Sequence, residues 1–236
     1  MGTLAGIASG LALSGFVCAC QLELAHSLEL DAKFQYGFTV KTQQQDPALA
    51  DDELFIRYSG PVAFPLSENL DEIWQQAKNS IKRVTFEIES PGGEVEVARE
   101  VVSLLKEIRS TAKLTTRVEA GKTCASACLA IYMQGSVRQA SGASAFMFHG
   151  SCPPYTNVPK EDATRRFIEL LQEAGASGKF LFDLLSCGYL TMPGAYWISG
   201  FELYHTAEAD IITELLPPWI PAIPTTPPFD PLLRPR

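Results

Sequence analysis

Three groups of residues have the types and spacing for acyl-transfer chemistry. Ser126 sits within Thr123-Cys124-Ala125-Ser126-Ala127-Cys128, where the loop Gly121-Lys122 gives way to an apolar run ending at Met133. His149 directly follows the apolar segment Ser144 to Phe148, and the turn Ser90-Pro91-Gly92-Gly93 follows Arg83 to Ile88. A serine hydroxyl within reach of an imidazole is the pair needed for attack on a carbonyl. The imidazole takes the hydroxyl proton and returns it to the leaving group, a role worth roughly 10²- to 10⁴-fold. The tetrahedral intermediate then needs N–H donors from two chain segments. The backbone of Gly93 (or Gly92) and of Ala127 are the candidates, because glycine leaves room for a carbonyl to approach the main chain. Losing one such donor typically costs about 3 kcal/mol of transition-state stabilisation.

Each group also has a plainer reading. A serine at a helix start is most often a cap, a histidine at a strand end is usually a surface or core group, and Ser-Pro-Gly-Gly is by default a turn. Cys124 and Cys128 offer rival nucleophiles, although two thiols four residues apart in a small-residue segment are more simply packing or disulfide residues. The hydrolase reading therefore depends on whether the surrounding elements bring the three groups together.

Those elements alternate. Leu54 to Ser59 reads as a strand followed by a turn at Gly60-Pro61, and after Pro65 a helix is expected with Ser67 or Asn69 as cap and Ile73, Trp74 and Ala77 on its apolar face. Arg83 to Ile88, rich in β-branched and aromatic residues, predicts a buried strand. Val95 to Ile108 has helical apolar spacing, and Leu114 to Val118 is a further strand. Cys124 to Met133 reads as a buried helix and Ser144 to Phe148 as a strand. Residues 161–174 and 177–186 are helical by pattern, and Ile198 to Thr213 supplies a helix and a last strand at Asp210 to Thr213. Strand and helix in alternation imply right-handed crossovers and a largely parallel sheet, with ligands at the carboxyl ends of its strands. All three groups lie at such ends.

The segment FEIESPGGEVEVAREV resembles the Ser-Pro-Gly-Gly block of the Clp protease proteolytic subunit, GKTCASACLAIYMQGSVRQA resembles its nucleophile helix, and SAFMFHG its histidine strand. The likeness spans roughly residues 54–213, with the blocks in the same order and spacing, and is nearest to exported Clp-like proteins of bacteria. It implies a single-domain α/β fold of the ClpP/crotonase type, a mostly parallel sheet built from ββα units flanked by helices. It further implies a serine peptidase or acyl hydrolase using Ser126 and His149, with Gly92, Gly93 and Ala127 at the oxyanion hole, a peptide or protein substrate bound along a strand edge near Ser90 to Gly93, and a homo-oligomer.

One departure concerns the third catalytic member. The family's acidic position falls at Gly194-Ala195, ahead of Tyr196-Trp197-Ile198-Ser199, where no carboxylate stands. Asp183, Glu202 and Asp210 are nearby in sequence, none in register, and an acid such as Asp162 or Asp183 could be recruited from elsewhere; loss of the orienting acid from a triad can cost about 10⁴ in turnover. A Ser-His dyad, a recruited acid and a catalytically silent binding or scaffold protein all remain open. Crotonase-type acyl-CoA chemistry is a further alternative that requires an intracellular chain.

The bulk composition narrows the partners. The 236 residues carry a net charge of −8, and no cluster of Lys and Arg is interleaved with aromatics, so nucleic acid is not expected. The histidines His26, His149 and His205 are scattered without metal-ligand spacing, so neither a metal nor a cofactor is expected. Residues 1–22 are uncharged and apolar, as in a secretory leader or an N-terminal anchor. Cleavage after Ala19 would expose Cys20, so membrane attachment is expected only through an uncleaved or lipidated N-terminus. Residues 23–50 read as a polar linker or edge hairpin, 51–214 as the domain, and 215–236 as a proline-rich tail, with eight prolines in the twenty residues from Pro217. A periplasmic or secreted chain with Cys124, Cys128, Cys152 and Cys187 beyond its leader could form up to two disulfides, in three possible connectivities, or keep buried free thiols.

Overall fold

A computed structural model describes residues 37–152, 156, 158–206 and 208–217. The leader, with Cys18 and Cys20, and the tail beyond Pro217 lie outside the described residues.

Among the described residues the main sheet has six strands in the order β1-β2-β3-β4-β6-β9: β1 (Phe38–Lys41), β2 (Glu53–Ser59), β3 (Arg83–Glu89), β4 (Lys113–Val118), β6 (Val137–Ala140) and β9 (Glu214–Leu215). From β2 to β9 every pairing is parallel, and β1 is added antiparallel at the edge, pairing Val40 with Ile56. A three-stranded sheet, β5 (Thr123–Ala125), β7 (Ala145–Phe148) and β8 (Tyr196–Ser199), carries the nucleophile and histidine segments.

Alternation decides which way each strand faces. Leu54, Ile56 and Tyr58 of β2 and Val84, Phe86 and Ile88 of β3 point into the core. Two helices cover that face: α1 (Leu66–Ala77), burying Leu66, Leu70, Ile73, Trp74 and Ala77, and α2 (Val95–Thr111), burying Val97, Ala98, Val101, Val102, Leu105 and Ile108. Both stripes follow helical spacing, and each fully buried aliphatic side chain contributes about 1.5–3 kcal/mol. The opposite face carries a polar row, Arg57, Glu87, Arg117, Gln139 and Glu214, in register across five strands, with Arg57 Nε 2.6 Å from Glu87 Oε1. A parallel sheet is ordinarily apolar on both faces.

The short elements depart from the sequence reading. The run from Cys124 to Met133 is not one helix: β5 ends at Ala125, Ser126 turns the chain, and α3 occupies Ala127–Tyr132. Neither Ser67 nor Asn69 caps α1, which starts at Leu66 with Pro65 in the cap position and no side-chain cap bond. Tyr196–Ser199 is a strand, and the last strand is Glu214–Leu215 rather than Asp210 to Thr213. The remaining helices among the described residues are α4 (Glu161–Glu173), α5 (Gly178–Ser186) and α6 (Gly200–His205), the last opened by a capping box between Ser199 and Glu202.

Candidate active site

The glycine turn leaves the carboxyl end of β3 and is held on both sides. Ser90 bridges Cys124 in parallel, with Ser90 N–H donating to Thr123 O at 2.8 Å and Ala125 N–H donating to Ser90 O at 3.0 Å. Gly93 bridges Val62, where Val62 N–H donates to Gly92 O at 2.9 Å and Glu94 N–H donates to Val62 O at 2.7 Å. The edge expected to receive a substrate strand is thus already bridged by Val62 and Cys124. Lys122 Nζ, 2.8 Å from Glu89 Oε2, ties the start of β5 to the end of β3 and holds the Glu89 carboxyl below its ordinary value.

Both glycines are dictated by contact. A Cβ on Gly92 (φ +92°) would lie 2.7 Å from Ser126 Cβ and 2.7 Å from Ala125 O, and one on Gly93 (φ +154°) would collide with Val62 O. The turn backbone therefore lies directly against the candidate nucleophile. Gly92 N–H is already committed to Ser90 Oγ at 3.1 Å. The N–H groups of Gly93 and Ala127 have no acceptor among the described residues.

Ser126 holds φ 54° and ψ −124° between the end of β5 and the first residue of α3. A β-carbon resists that region, and such a residue costs on the order of 1–3 kcal/mol unless its surroundings enforce it. Its hydroxyl makes no cap bond to α3, so the plainer reading of Ser126 as a cap does not hold. From Cys124 to Gly135, Ser126 alone has solvent access.

Ser126 is anchored to the histidine strand by its N–H, which donates to Met147 O at 2.8 Å, two residues before His149. The parallel register pairs Ala125 with Met147. His149 is partly buried, and that burial holds its imidazole below the ordinary value, favouring the neutral form. Among the described residues no hydrogen bond joins the Ser126 hydroxyl to the His149 ring, and no carboxylate pairs with that ring.

Of the three acids weighed as a third member, Asp183 and Asp162 are paired elsewhere. Asp183 pairs with Lys179 at 2.9 Å on α5, and Asp162 pairs with Arg165 at 3.1 Å on α4. Asp210 is exposed in a loop whose carbonyls receive Arg138. The segment Gly194-Ala195, where no carboxylate stands, comes alongside the histidine: β7 and β8 run antiparallel with Phe148 opposite Tyr196, so the next residues along are His149 and Ala195. Ala195 is exposed there.

Among the described residues the cysteines divide into one bridge and two thiols. Cys124 and Cys128 form a disulfide with Cα atoms 5.3 Å apart, which removes both as rival nucleophiles. Cys152 and Cys187, also weighed as disulfide partners, are free, and the Cys152 thiol donates to Gly150 O at 3.2 Å with burial pushing its pKa up. A cavity of about 590 Å³ lies between α4 and residues 185–191, lined by Thr164, Ile168, Leu185 and Leu190 among others. Two residues that line it, Pro159 and Leu190, lie against Gly150, the residue after His149. Among the described residues no helix is long and apolar enough to cross a membrane, and no group of His, Cys, Asp or Glu has the arrangement of a metal site.

Two supports of the site escaped the sequence reading: Val62, which pins Gly93, and the Ser90 hydroxyl, which occupies Gly92 N–H. The second had a signal, since a serine two residues before a glycine readily folds its hydroxyl onto that backbone N–H. Val62 had none, because its contact with Gly93 is made across the fold.

No family model and no curated protein matches the chain. Among solved structures it is similar to ClpP1 from Listeria monocytogenes, with a TM-score of 0.54 and 20% identity, covering 69% of this chain and 90% of that one. It is likewise similar to a point mutant of ClpP1 from Listeria monocytogenes, with a TM-score of 0.50 and 21% identity over the same shares, 69% and 90%. At that identity the likeness is one of architecture: the chain has a ClpP-like α/β fold, a mostly parallel central sheet with flanking helices.

Proposed function

We propose that the protein is a Clp-like serine hydrolase that cleaves peptides or related acyl substrates through Ser126 and His149. The observation that carries this reading is the backbone of Ser126, turned to φ 54° between a strand and a helix with its side chain reaching solvent from an otherwise buried run. A conformation so unfavourable to an L-residue aims a hydroxyl clear of the strand and the helix beside it, as nucleophile turns of hydrolases do.

Strand register supports His149 as the base. Ala125 pairs with Met147 and Ser126 N–H donates to Met147 O, so Ser126 and His149 follow the carboxyl ends of two neighbouring parallel strands. In the reaction, neutral His149 accepts the Ser126 proton as Oγ bonds to the substrate carbonyl carbon. The carbonyl π pair moves onto oxygen, which takes hydrogen bonds from Gly93 and Ala127 N–H. Collapse of that intermediate breaks the scissile bond, the leaving group takes the proton from His149, and water repeats the sequence to free the acid. α3 has only six residues, so these donors act as individual groups rather than through a helix dipole. With no carboxylate behind it His149 works in a dyad, and low turnover is expected.

The Cys124–Cys128 disulfide and the apolar, uncharged leader together support action in an oxidising compartment, periplasmic or secreted. A homo-oligomer follows from the motif resemblance. Hydrolysis of fluorogenic peptides and of an activated ester by the wild-type chain, abolished in Ser126→Ala and reduced by at least about 10²-fold in His149→Ala, tests the reading. Folded protein with no turnover of either substrate class would instead support a silent binding protein that kept the fold.

A further inference from the structure

The disulfide brackets the candidate nucleophile symmetrically. Cys124 lies two residues before Ser126, in the middle of β5, and Cys128 two residues after it, in the first turn of α3. Both half-cystines are fully buried, while Ser126 between them is the accessible residue. We infer that the Cys124–Cys128 bridge is a positioning element of the Ser126 site, a clamp that holds the strand-to-helix turn in the conformation presenting the hydroxyl. The inference rests on the hydrolase reading and assigns the cysteines a role within it.

The case is one of where the constraint falls. A cross-link stabilises a whole domain more the longer the chain it encloses, rising with the logarithm of that length, and small loops gain least. This one encloses five residues, 124–128, with Ser126 at the centre, so its restraint bears on the turn rather than on the distant sheet. The flanks are already fixed. Ala125 N–H is bound to Ser90 O and Ser126 N–H to Met147 O, and α3 is wholly buried. What those bonds leave free is rotation about Ser126 itself, whose left-handed φ would relax toward the ordinary region if the two flanks could separate. The bridge fixes their Cα separation at 5.3 Å. Placement across the nucleophile, with Cys152 and Cys187 left unpaired, is what a local clamp requires.

A misplacement of about 1 Å at a reacting group costs on the order of 10²-fold. Removing the bridge should therefore slow acylation of Ser126 by roughly 10- to 100-fold while the fold persists. The test compares full-length wild-type protein, Cys124→Ala/Cys128→Ala, and wild type reduced by a phosphine, which becomes the phosphine oxide as the bridge takes up two electrons and two protons. Reduction keeps the comparison available if the double variant does not fold. Two readouts are taken, the second-order rate of modification by a fluorophosphonate and hydrogen exchange along the backbone. Slower modification with faster exchange confined to residues near 123–129, reversed on reoxidation, is the expected result. Equal modification rates and unchanged exchange in that segment would overturn the clamp. If the intact wild type is not modified at all, the hydrolase reading fails, and exchange alone then decides whether the bridge holds the turn.

Discussion

Replacing Ser126 by glycine and, separately, by alanine separates the two properties invested in that residue, its hydroxyl and its backbone. At φ 54° and ψ −124° the β-carbon is the source of the strain, and both serine and alanine carry one. The hydroxyl forms no hydrogen bond among the described residues, so Ser126→Ala should match wild type within about 0.5 kcal/mol. Glycine relieves a conformational penalty of about 1–3 kcal/mol but adds about 0.5–1 kcal/mol of unfolded-state entropy. Central values leave Ser126→Gly more stable than Ser126→Ala by about 1 kcal/mol, which for a domain of this size is about 2–4 °C in Tm. Little packing is lost, because Ser126 is partly exposed. Thermal unfolding of the two variants under oxidising conditions, with the Cys124–Cys128 bridge intact in both, reads the difference. Both should be inactive, so stability would rise as function disappears. A Ser126→Gly protein that melts at or below Ser126→Ala would show that the turn stores no strain, and the argument from the backbone of Ser126 would fail.

Gly92→Ala would drive a β-carbon to 2.7 Å from both Ser126 Cβ and Ala125 O, so it should destabilise the chain by about 1–3 kcal/mol and cut Ser126 reactivity at least tenfold; near-wild-type Tm and reactivity would count against the close contact. Because burial holds His149 below its ordinary value of 6.5, Ser126 reactivity should be flat at neutral pH and fall on acidification with a midpoint under 6.5, as a pH–rate profile would show. Stability follows the same sign: between the folded and unfolded pKa of His149 the unfolded chain binds more protons, so this contribution is complete above pH 6.5 and is lost as pH falls through the folded value. Ala195→Asp puts a carboxylate just before β8, alongside His149, which should raise the histidine midpoint and increase turnover tenfold or more, toward the roughly 10⁴ an orienting acid can supply. An unmoved midpoint with unmoved turnover would place residue 195 out of reach of the ring.

How much of this the chain discloses depends on element length. The strand Arg83–Glu89 and the helix Val95–Thr111 were legible because each repeats its own periodicity over several turns or pleats. β5 was not, since three small residues, the last two buried, running into a buried helix look the same in either conformation. Val137–Ala140 escaped as a strand for another reason: Arg138 and Gln139 give it no apolar alternation, and it is held by partners on both sides rather than by its own pattern. Asp210 to Thr213 was read as the last strand from its β-branched residues, but pairing begins at Glu214, where the chain comes alongside Gln139. At the site, Ser126, His149 and the glycine pair were legible from residue type and order. The left-handed φ of Ser126 was not, because serine carries no preference for it and only the bridge, the β5–β7 ladder and the apposed glycine turn enforce it. Four cysteines allowed three pairings by count, and among the described residues Cys124 and Cys128 form a bridge while Cys152 and Cys187 are free thiols.

The most direct test of the central claim is to expose the full-length, oxidised protein to a fluorophosphonate at neutral pH and map the adduct by mass spectrometry. The account predicts one modification per chain, on Ser126, absent from Ser126→Ala and strongly slowed in His149→Ala. Native protein that remains unmodified at Ser126, or that is modified equally fast without His149, would contradict it.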